Sequence, residues 1–540
     1  GHMQNDLQRA FVSYQRGDRQ LAAQLAQKVL KRDRRAADAM MLLGLIEKDQ
    51  GNFARARDWF RQGLKIAPRH TNLLNVAGLL EKHVGDHARA EALLRKSLAV
   101  DPSFFHARYN LANLFDSLHD YVNAAEQYRR VLQQQPDHVE ALANLSTILE
   151  AEHQLDEARS LAERALKISP DHFIARLTLA NIASREKSFG EVVNLLDPLI
   201  QQGRLSPVNH SVAVGKCAFA FEKQGNYETA FNYYQAANQV LHKAFAPRMQ
   251  NLQSLYAPEA VEQVGKAVAN FTFDAPAGEV ESPVFLVGFP RSGTTLLDQI
   301  LTSHSRVTVL EERENLIDAH TRFPATESGL RELQNADAET LSDLRRKYWK
   351  RVGEELGSDV TGQLIVDKLP LNAIALLHIA RLFPGARILV ALRDPRDCVF
   401  SCFQQRFGMS QAMFQFLQLD TAVSYYGNVM KIVTAMQDAG ALPMHFVRYE
   451  RVISDFRQEV GGMISFLGLD WEDSLLDYQS TAKSRHISTP SAPQVIQPLY
   501  TSSIGKWQNF QPWIGDRFKP LEPWVIEWGY QATGKSRRST

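Results

Sequence analysis

The chain has 540 residues, with 61 lysines and arginines against 60 aspartates and glutamates and a formal net charge of +1. This length exceeds what one compact core supports, so we expect at least two domains. A charge this close to zero argues against a general nucleic-acid binder, which would carry a basic excess. No run of about 18 apolar residues occurs in the sequence, which therefore contains no candidate membrane span.

The three cysteines, Cys217, Cys398 and Cys402, show neither C-x-x-C spacing nor the density of a disulfide scaffold. A reducing environment accounts for this usage, and we expect a cytoplasmic protein. The opening residues 1–3 look like a remnant of an expression tag, so the native N-terminus and any removed targeting segment stay open.

The first half of the chain repeats with a period of 34 residues. Prolines mark this period at Pro68, Pro102, Pro136 and Pro170. Small residues keep the same spacing in two series, Gly44, Gly78, Ala112, Ser146 and Ala180 in one predicted helix and Ala22, Ala56, Ala90, Ala124 and Ala158 in its partner. A helix-turn-helix unit needs small residues where its helices touch and a proline between units, which is the tetratricopeptide pattern.

The period drifts after about residue 187, and the segment QGNYETA resumes it four residues late. We predict an all-α solenoid of five to seven repeats over residues 4–244, followed by a capping helix and linker over residues 245–282. A solenoid of this kind offers a concave groove for a polypeptide, and Asn110, Asn113 and Asn144 could hydrogen-bond a peptide backbone there. The alternative is a structural scaffold or dimerisation element, and a homodimer stays open.

From residue 283 onward, short β-branched runs alternate with helical segments. The runs are VFLVGF, LIVDK, ARILVALRD and MHFVRYE, and continuous apolar runs of this length are typical of buried parallel strands. We therefore predict a P-loop-like, doubly wound α/β domain over residues 283–530. Its ligand site should lie at the carboxyl ends of the strands, where Arg291, Lys368, Arg393 and Tyr449 follow the four runs.

The first of these runs ends in a glycine loop, PVFLVGFPRSGTT. Gly288 and Gly293 have the spacing of a P-loop, but Thr294 and Thr295 stand where that motif requires Lys followed by Ser or Thr. Backbone N–H groups of residues 291–295, at the start of a helix, should still bind phosphate. The missing lysine disfavours a P-loop kinase and favours another phosphorylated donor.

The ordered set of motifs resembles one family. The strand followed by PRSGTT, then EE, DKLP, RDPRDCVFS and QVIQP…GKW together resemble the sulfotransferases that use 3'-phosphoadenosine 5'-phosphosulfate, and most closely the protein-tyrosine sulfotransferases. The resemblance covers about residues 283–515. It implies this donor, with adenosine 3',5'-bisphosphate as the product, and it implies no metal.

The resemblance also implies which residues bind the donor. The 5'-phosphosulfate would lie against Arg291, Ser292, Gly293, Thr294 and Thr295. Arg393 and Ser401 resemble the pair that binds the 3'-phosphate, and Tyr449 and Lys506 resemble further donor contacts, while residues 494–500 could line the nucleotide through backbone groups. Where the animal tyrosine enzymes carry another donor-binding arginine after Ser401, this chain has Gln405, and Arg406 comes one residue late.

Four residues match catalytic positions of the family. Glu312 matches the base that removes the acceptor proton, and neighbouring Glu311 adds a like charge. Lys368 and Ser491 match the residues that stabilise charge on the leaving oxygen, and Arg291 would stabilise charge near the transferred group.

The sequence therefore predicts a sulfotransferase whose acceptor is a tyrosine of a peptide or protein presented by the repeat domain. Carbohydrate, lipid and small-molecule acceptors stay open, because a fold and a donor loop do not identify an acceptor. A nucleotide-binding repeat scaffold without turnover is the other alternative. For single residues, the alternative is a surface role: Arg393 and Arg396 could pair with Asp394 and Asp397.

Overall fold

A computed structural model describes residues 2–250, 252–273, 279–357, 359–405, 408–483 and 503–531. The chain divides into two compact units, residues 1–201 and residues 202–540. The domain limits expected from the sequence, 4–244, 245–282 and 283–530, rest on sequence patterns and stay predictions.

The first unit consists of helices of similar length that follow one another in pairs. They are α1 His2–Gln15, α2 Arg19–Arg32, α3 Ala37–Asp49, α4 Phe53–Ile66, α5 Thr71–Val84, α6 His87–Val100, α7 Phe105–Ser117, α8 Tyr121–Gln134, α9 Val139–Ala151, α10 Leu155–Ile168, α11 Phe173–Arg185 and α12 Phe189–Gln202.

The 34-residue period sets where these helices begin. The even-numbered helices α2 to α10 begin after N-cap residues spaced by one period, Asp18, Asn52, Asp86, Asp120 and Gln154. One residue earlier, the backbone is left-handed in each turn, at Gly17, Gly51, Gly85, His119 and His153. The same turn therefore recurs in each of these five repeats, whether or not glycine occupies it.

The small residues of the repeat lie where helices touch. A Cβ at Gly44 would lie 2.4 Å from Cε1 of Phe60, and a Cβ at Gly78 would lie 2.9 Å from Cγ of Leu94. The alanines of the partner series are fully buried, namely Ala22, Ala56, Ala90, Ala124 and Ala158. The predicted all-α repeat solenoid is confirmed, and its small residues permit close helix packing.

The second unit begins with a hairpin of longer helices and continues into an α/β domain. Its helices are α13 Pro207–Lys223, α14 Tyr227–Met249, α15 Pro258–Val268, α16 Thr294–Thr302, α17 Ile317–Arg322, α18 Glu327–Gln334, α19 Ala338–Leu356, α20 Leu376–Leu382, α21 Pro395–Gln404, α22 Gln411–Phe416, α23 Leu419–Ala439, α24 Tyr449–Ser454, α25 Phe456–Phe466 and α26 Tyr478–Lys483, followed by Gln511–Ile514 and Glu522–Glu527. Its 3-10 helices are Pro370–Ala375, Asp473–Asp477, Lys506–Phe510 and Gly515–Leu521.

The α/β domain is built on one sheet of five parallel strands in the order β2-β3-β1-β4-β5. The strands are β1 Val284–Gly288, β2 Val307–Val309, β3 Leu364–Lys368, β4 Ile388–Leu392 and β5 Met444–Arg448. Alternate residues of β1 face two different cores, because Phe285 and Val287 pack in one cluster and Val284 and Leu286 in the other. The predicted doubly wound α/β domain is confirmed, with the three-residue edge strand β2 in addition to the four predicted strands.

Helix α13 explains why the repeat resumes late. Its N-cap, Ser206, still lies in register with the preceding units, but the helix has 17 residues where α11 has 13. The four extra residues add about one helical turn. The left-handed turn residue is consequently displaced to Gly225.

The hairpin α13–α14 packs against the α/β domain. Phe231 of α14 stacks on Phe400 and Phe403 of α21, with ring centroids 6.4 and 5.9 Å apart. Asn238 Nδ2 donates to the carbonyl oxygen of Phe403 at 2.9 Å, and both Phe231 and Asn238 are buried. This helical pair therefore shares a core with the α/β domain although it continues the repeat pattern.

Among the described residues, no helix is long and apolar enough to cross a membrane. The expected cytoplasmic setting stays a prediction.

We expect a fragment of residues 202–540 to fold and stay monomeric or discretely oligomeric, whereas a fragment of residues 245–540 should aggregate. The shorter fragment lacks Phe231 and leaves the apolar surface of Phe400 and Phe403 uncovered. Size-exclusion chromatography and thermal unfolding followed by circular dichroism compare the two. A soluble 245–540 fragment that unfolds at the same temperature as 202–540 would contradict a shared core.

Candidate active site

The loop after β1 is fixed by close contacts. A Cβ at Gly288 would lie 2.7 Å from Ser292 Oγ and 2.8 Å from the Ala391 carbonyl oxygen, so no other residue fits there without movement. The thiols of Cys398 and Cys402 both donate to the Pro290 carbonyl oxygen at 3.2 Å. The loop is thus held by β4 and α21 on its inner side.

The backbone of this loop turns through the left-handed region twice. Arg291 has φ 68° and Gly293, the N-cap of α16, has φ 103°. A Cβ at Gly293 would lie 3.0 Å from Tyr449 Cδ2, so the ring of Tyr449 lies directly against the turn. The Ser292 N–H donates to the Phe289 carbonyl at 3.1 Å and is therefore used within the loop.

Two buried arginines join this loop to the end of β4. Arg291 Nε donates to Ser401 Oγ at 2.8 Å, and Arg393 Nη1 donates to the Arg291 carbonyl oxygen at 3.0 Å. Burial, and then the neighbouring charge of Arg393, lower the pKa of Arg291 to about 10, so its guanidinium stays charged at neutral pH. Two positive charges thus lie side by side where the strands end.

Two polar atoms of this cluster have no partner within the part of the chain that the structure describes. Arg393 Nε and Ser292 Oγ are buried and have no hydrogen-bond partner among the described residues. The Arg393 guanidinium also lies over the Tyr449 ring, 5.1 Å from its centroid, and Tyr449 Oη lies 3.0 Å from Ser503 Oγ. Unpaired buried donors are costly, and an anionic ligand with phosphate-type oxygens would satisfy them.

A second cluster lies at the end of β3. The Lys368 ammonium lies 3.0 Å from Glu312 Oε1 and 3.3 Å from Asp298 Oδ2. Lys368 and Asp298 are buried, whereas the Glu312 side chain keeps 31% of its surface exposed. Lysine therefore bridges a buried carboxylate and a carboxylate that can still reach a ligand.

Lys506 is fixed from two sides. The Asp397 carboxylate accepts hydrogen bonds from the N–H groups of Gly505 at 2.7 Å and Trp507 at 3.0 Å. These two bonds hold the backbone on either side of Lys506. Burial raises the pKa of Asp397 to about 6. The Lys506 ammonium itself lies 2.6 Å from Glu222 Oε2 on α13.

The arginine cluster after β1 and the Lys368 cluster at the end of β3 both border one cavity of about 1550 Å³. Arg291 and Glu312 line it together, which brings the candidate charge stabiliser and the candidate base to the same space. Burial raises the pKa of the lining residue Tyr256 and lowers that of His320 to about 4, so both are neutral at neutral pH. Among the described lining residues, Arg291 is the only arginine or lysine, and the acidic ones are Glu259, Glu312, Glu314 and Glu327.

Most of the predicted site residues thus lie in the arginine cluster, in the Lys368 cluster or in the segment around Lys506. Thr294 and Thr295 also line the cavity. Ser491, Arg406 and the segment 494–500 lie outside the described residues. Arg396 forms the bidentate pair with Asp394 that the sequence suggested, at 3.0 and 2.8 Å, but the expected surface position is wrong, because both Arg393 and Arg396 are buried. Among the described residues no group of three or more His, Cys, Asp or Glu could hold a metal ion.

Sequence reasoning missed three contributors to the site. Asp298 has a signal in the sequence, because it is the one charge in the apolar helix segment LLDQIL. Asp397 was considered only as a surface partner of arginine, although it is buried and holds residues 505–507. Glu222 lies far away in the sequence, in a helix that reads as part of the repeats, and offered no signal.

Family models match both halves of the chain. Residues 283–473 match the Sulfotransferase family, and residues 9–70, 77–139 and 110–173 match a tetratricopeptide repeat. The chain therefore carries tetratricopeptide repeats followed by a sulfotransferase-family domain, as the resemblance predicted.

Three relatives illustrate the similarity. An uncharacterized protein of Aquifex aeolicus (strain VF5) is 26% identical over 366 residues, which cover 62% of this chain and 46% of the relative. Protein-tyrosine sulfotransferase 2 of Gallus gallus is 23% identical over 46% of this chain and 69% of its own length. Protein-tyrosine sulfotransferase A of Caenorhabditis elegans is 23% identical over 42% of this chain and 62% of its own length. The chain thus spans less than half of the Aquifex relative.

Proposed function

We propose that this protein transfers a sulfuryl group from 3'-phosphoadenosine 5'-phosphosulfate to an acceptor hydroxyl. One observation carries the proposal: Arg291, in a cluster suited to anions, and Glu312, an accessible carboxylate, line the same cavity. A binding scaffold without turnover has no use for a carboxylate beside a site for an anion. The sulfotransferase-family domain supports the same conclusion.

The donor would be bound by groups from the ends of three strands. Arg291, Ser292, Gly293, Thr294 and Thr295 would hold the 5'-phosphosulfate. Further donor contacts would come from Arg393 and Ser401 at the 3'-phosphate and from Tyr449 and Lys506. Arg393 Nε and Ser292 Oγ, which are buried and find no partner in the described ranges of the chain, support this fit.

Catalysis would rest on alignment and charge rather than on a covalent intermediate with the protein. The donor, when bound, supplies the sulfuryl group and a phosphate leaving group. Glu312 accepts the proton of the acceptor hydroxyl, and Arg291 stabilises charge near the transferred group. Lys368 has three N–H donors, so it can retain Glu312 and Asp298 and still stabilise the leaving oxygen. Ser491 would assist there.

Nucleotide selectivity tests the donor assignment. We expect adenosine 3',5'-bisphosphate to bind on the order of tenfold to a hundredfold more tightly than adenosine 5'-monophosphate, because the buried Arg393 contributes a charge-assisted hydrogen bond. Arg393→Gln should abolish that difference, and Arg451→Gln, a change at an exposed arginine of α24, should preserve it. Titration calorimetry measures both. Equal affinities for the two nucleotides in the unaltered protein would remove the 3'-phosphate assignment.

Replacement of the candidate base separates chemistry from binding. Glu312→Gln should lower kcat on the order of a hundredfold or more and leave the affinity for adenosine 3',5'-bisphosphate nearly unchanged, because only proton removal is lost. Glu311→Gln is the matched control, since that neighbouring side chain is exposed and its residue is not among those lining the cavity. An unchanged kcat in Glu312→Gln would exclude it as the base and make His320, which lines the same cavity, the next candidate.

The acceptor we favour is a tyrosine of a peptide or protein. The names of the animal relatives and the fused tetratricopeptide repeats support this choice. The cavity also exceeds the range of about 300–1,000 Å³ that usually holds a small ligand, so an extended segment has room. Its glutamates disfavour acidic residues beside the tyrosine.

Two of the asparagines that the sequence suggested for peptide binding already form hydrogen bonds to other side chains of the solenoid. Asn110 Nδ2 donates to Asn75 Oδ1 at 2.8 Å, and Asn144 Nδ2 donates to Tyr109 Oη at 3.3 Å. These amides are therefore engaged within the solenoid. Each amide also has a second N–H and an acceptor oxygen, so these hydrogen bonds do not exclude peptide binding by the repeats, which stays a prediction.

A screen of acceptors with labelled donor and mass spectrometry identifies the substrate class. We expect transfer to tyrosine peptides, and faster transfer when lysine rather than aspartate flanks the tyrosine, because Glu259, Glu314 and Glu327 line the cavity. Glu259→Gln combined with Glu327→Gln should reduce that preference. Transfer only to glycans, lipids or small phenols would contradict the tyrosine proposal while retaining sulfuryl transfer.

A further inference from the structure

Glu222 is a buried carboxylate on a helix of the repeat pattern, and it is fully engaged by hydrogen-bond donors. Its side chain keeps only 4% of its surface exposed. Oε1 accepts from Tyr234 Oη at 2.9 Å and from Gln404 Nε2 at 2.7 Å, and Oε2 contacts the Lys506 ammonium at 2.6 Å. Burying a charge is costly, so a carboxylate held in this way by three donors needs an explanation.

The three donors come from two parts of the second unit. Tyr234 belongs to the hairpin α13–α14, whereas Gln404 ends α21 and Lys506 begins a 3-10 helix of the α/β domain. Helix α21 also carries Ser401, which contacts Arg291, and Asp397, which holds the backbone beside Lys506. Glu222 therefore touches the same helix and the same segment that form the candidate donor site.

The lysine side chain is the part of this arrangement that most needs a fixed partner. Lysine has a flexible stem of four carbons, and confining it costs conformational entropy. Asp397 fixes the backbone on both sides of Lys506 but does not direct the ammonium group. The direction comes from Glu222, and 27% of the Lys506 side chain stays exposed for a further contact.

We propose that Glu222 is a positioning residue for the donor site, holding Lys506 in the orientation in which it binds a donor phosphate. The inference rests on the proposed donor role of Lys506. An ammonium group has three donors, so Lys506 can keep Glu222 and bind a phosphate oxygen as well. The hairpin α13–α14 thereby contributes a positioning residue to the proposed donor site.

The test uses the full chain and the nucleotide adenosine 3',5'-bisphosphate. We expect Glu222→Gln to weaken its binding about fivefold to tenfold and to raise KM for the donor with little change in KM for the acceptor. Glu228→Gln, the same change at an exposed position of the same hairpin, should leave both values unchanged. Glu222→Asp keeps the charge but shortens its reach, and we expect an intermediate loss.

A double-mutant cycle tests whether Glu222 acts through the lysine. Lys506→Met alone should weaken nucleotide binding, and adding Glu222→Gln to it should change the affinity less than twofold. Thermal unfolding of each variant shows whether it folds. If Glu222→Gln does not fold, the nucleotide affinity of Glu222→Asp tests the positioning role in its place.

Two outcomes in Glu222→Gln would overturn the positioning role. Unchanged nucleotide affinity in Glu222→Gln, with a lower melting temperature, would reduce Glu222 to a packing contact. Tighter binding would mean that Glu222 competes with the donor for Lys506. If Lys506→Met leaves the affinity unchanged, the assigned donor role of that lysine fails and the positioning role fails with it. The absence of any nucleotide binding would contradict the proposed function itself.

Discussion

The contact between two buried arginines organises the second unit. Arg393, at the end of β4, donates to the carbonyl oxygen of Arg291, and Arg291 donates to Ser401 on α21. Like charges repel, but the arrangement is held by the thiols that contact the loop after β1, by the close packing at Gly288 and by the negative charge of Asp397 near Arg393. The fold therefore keeps a positive site assembled before any anion arrives, which limits the ordering that a ligand must bring about.

A second constraint concerns the two carboxylates at the end of β3. The single positive charge of Lys368 offsets one of the two negative charges of Glu312 and Asp298 at the end of β3. Without it, a pair of carboxylates would lie close to the arginine cluster and weaken its attraction for an anion. Because β1 and β3 are neighbours in a parallel sheet, both clusters end at the same edge and open on one cavity.

The parts that sequence reasoning reached share a local signature. Each signal lies within a short window of sequence. The period of 34 residues predicted the solenoid, the apolar strand runs predicted the parallel sheet, and the lysine-free loop predicted the P-loop-like turn after β1. The edge strand β2 was missed because three residues carry too little pattern. Asp397 and Glu222 were missed for another reason: their contacts with residues 404 and 505–507 span 108 or more residues of sequence, and only the folded chain makes them.

The hairpin α13–α14 has a consequence for how such proteins diversify. A recombination that exchanged the repeats at the point where their pattern ends, near residue 244, would discard Phe231 and Glu222 and leave the α/β domain without part of its core. A crossover near residue 202 would keep both. The smallest segment that keeps this core complete is thus the α/β domain together with the helical pair before it.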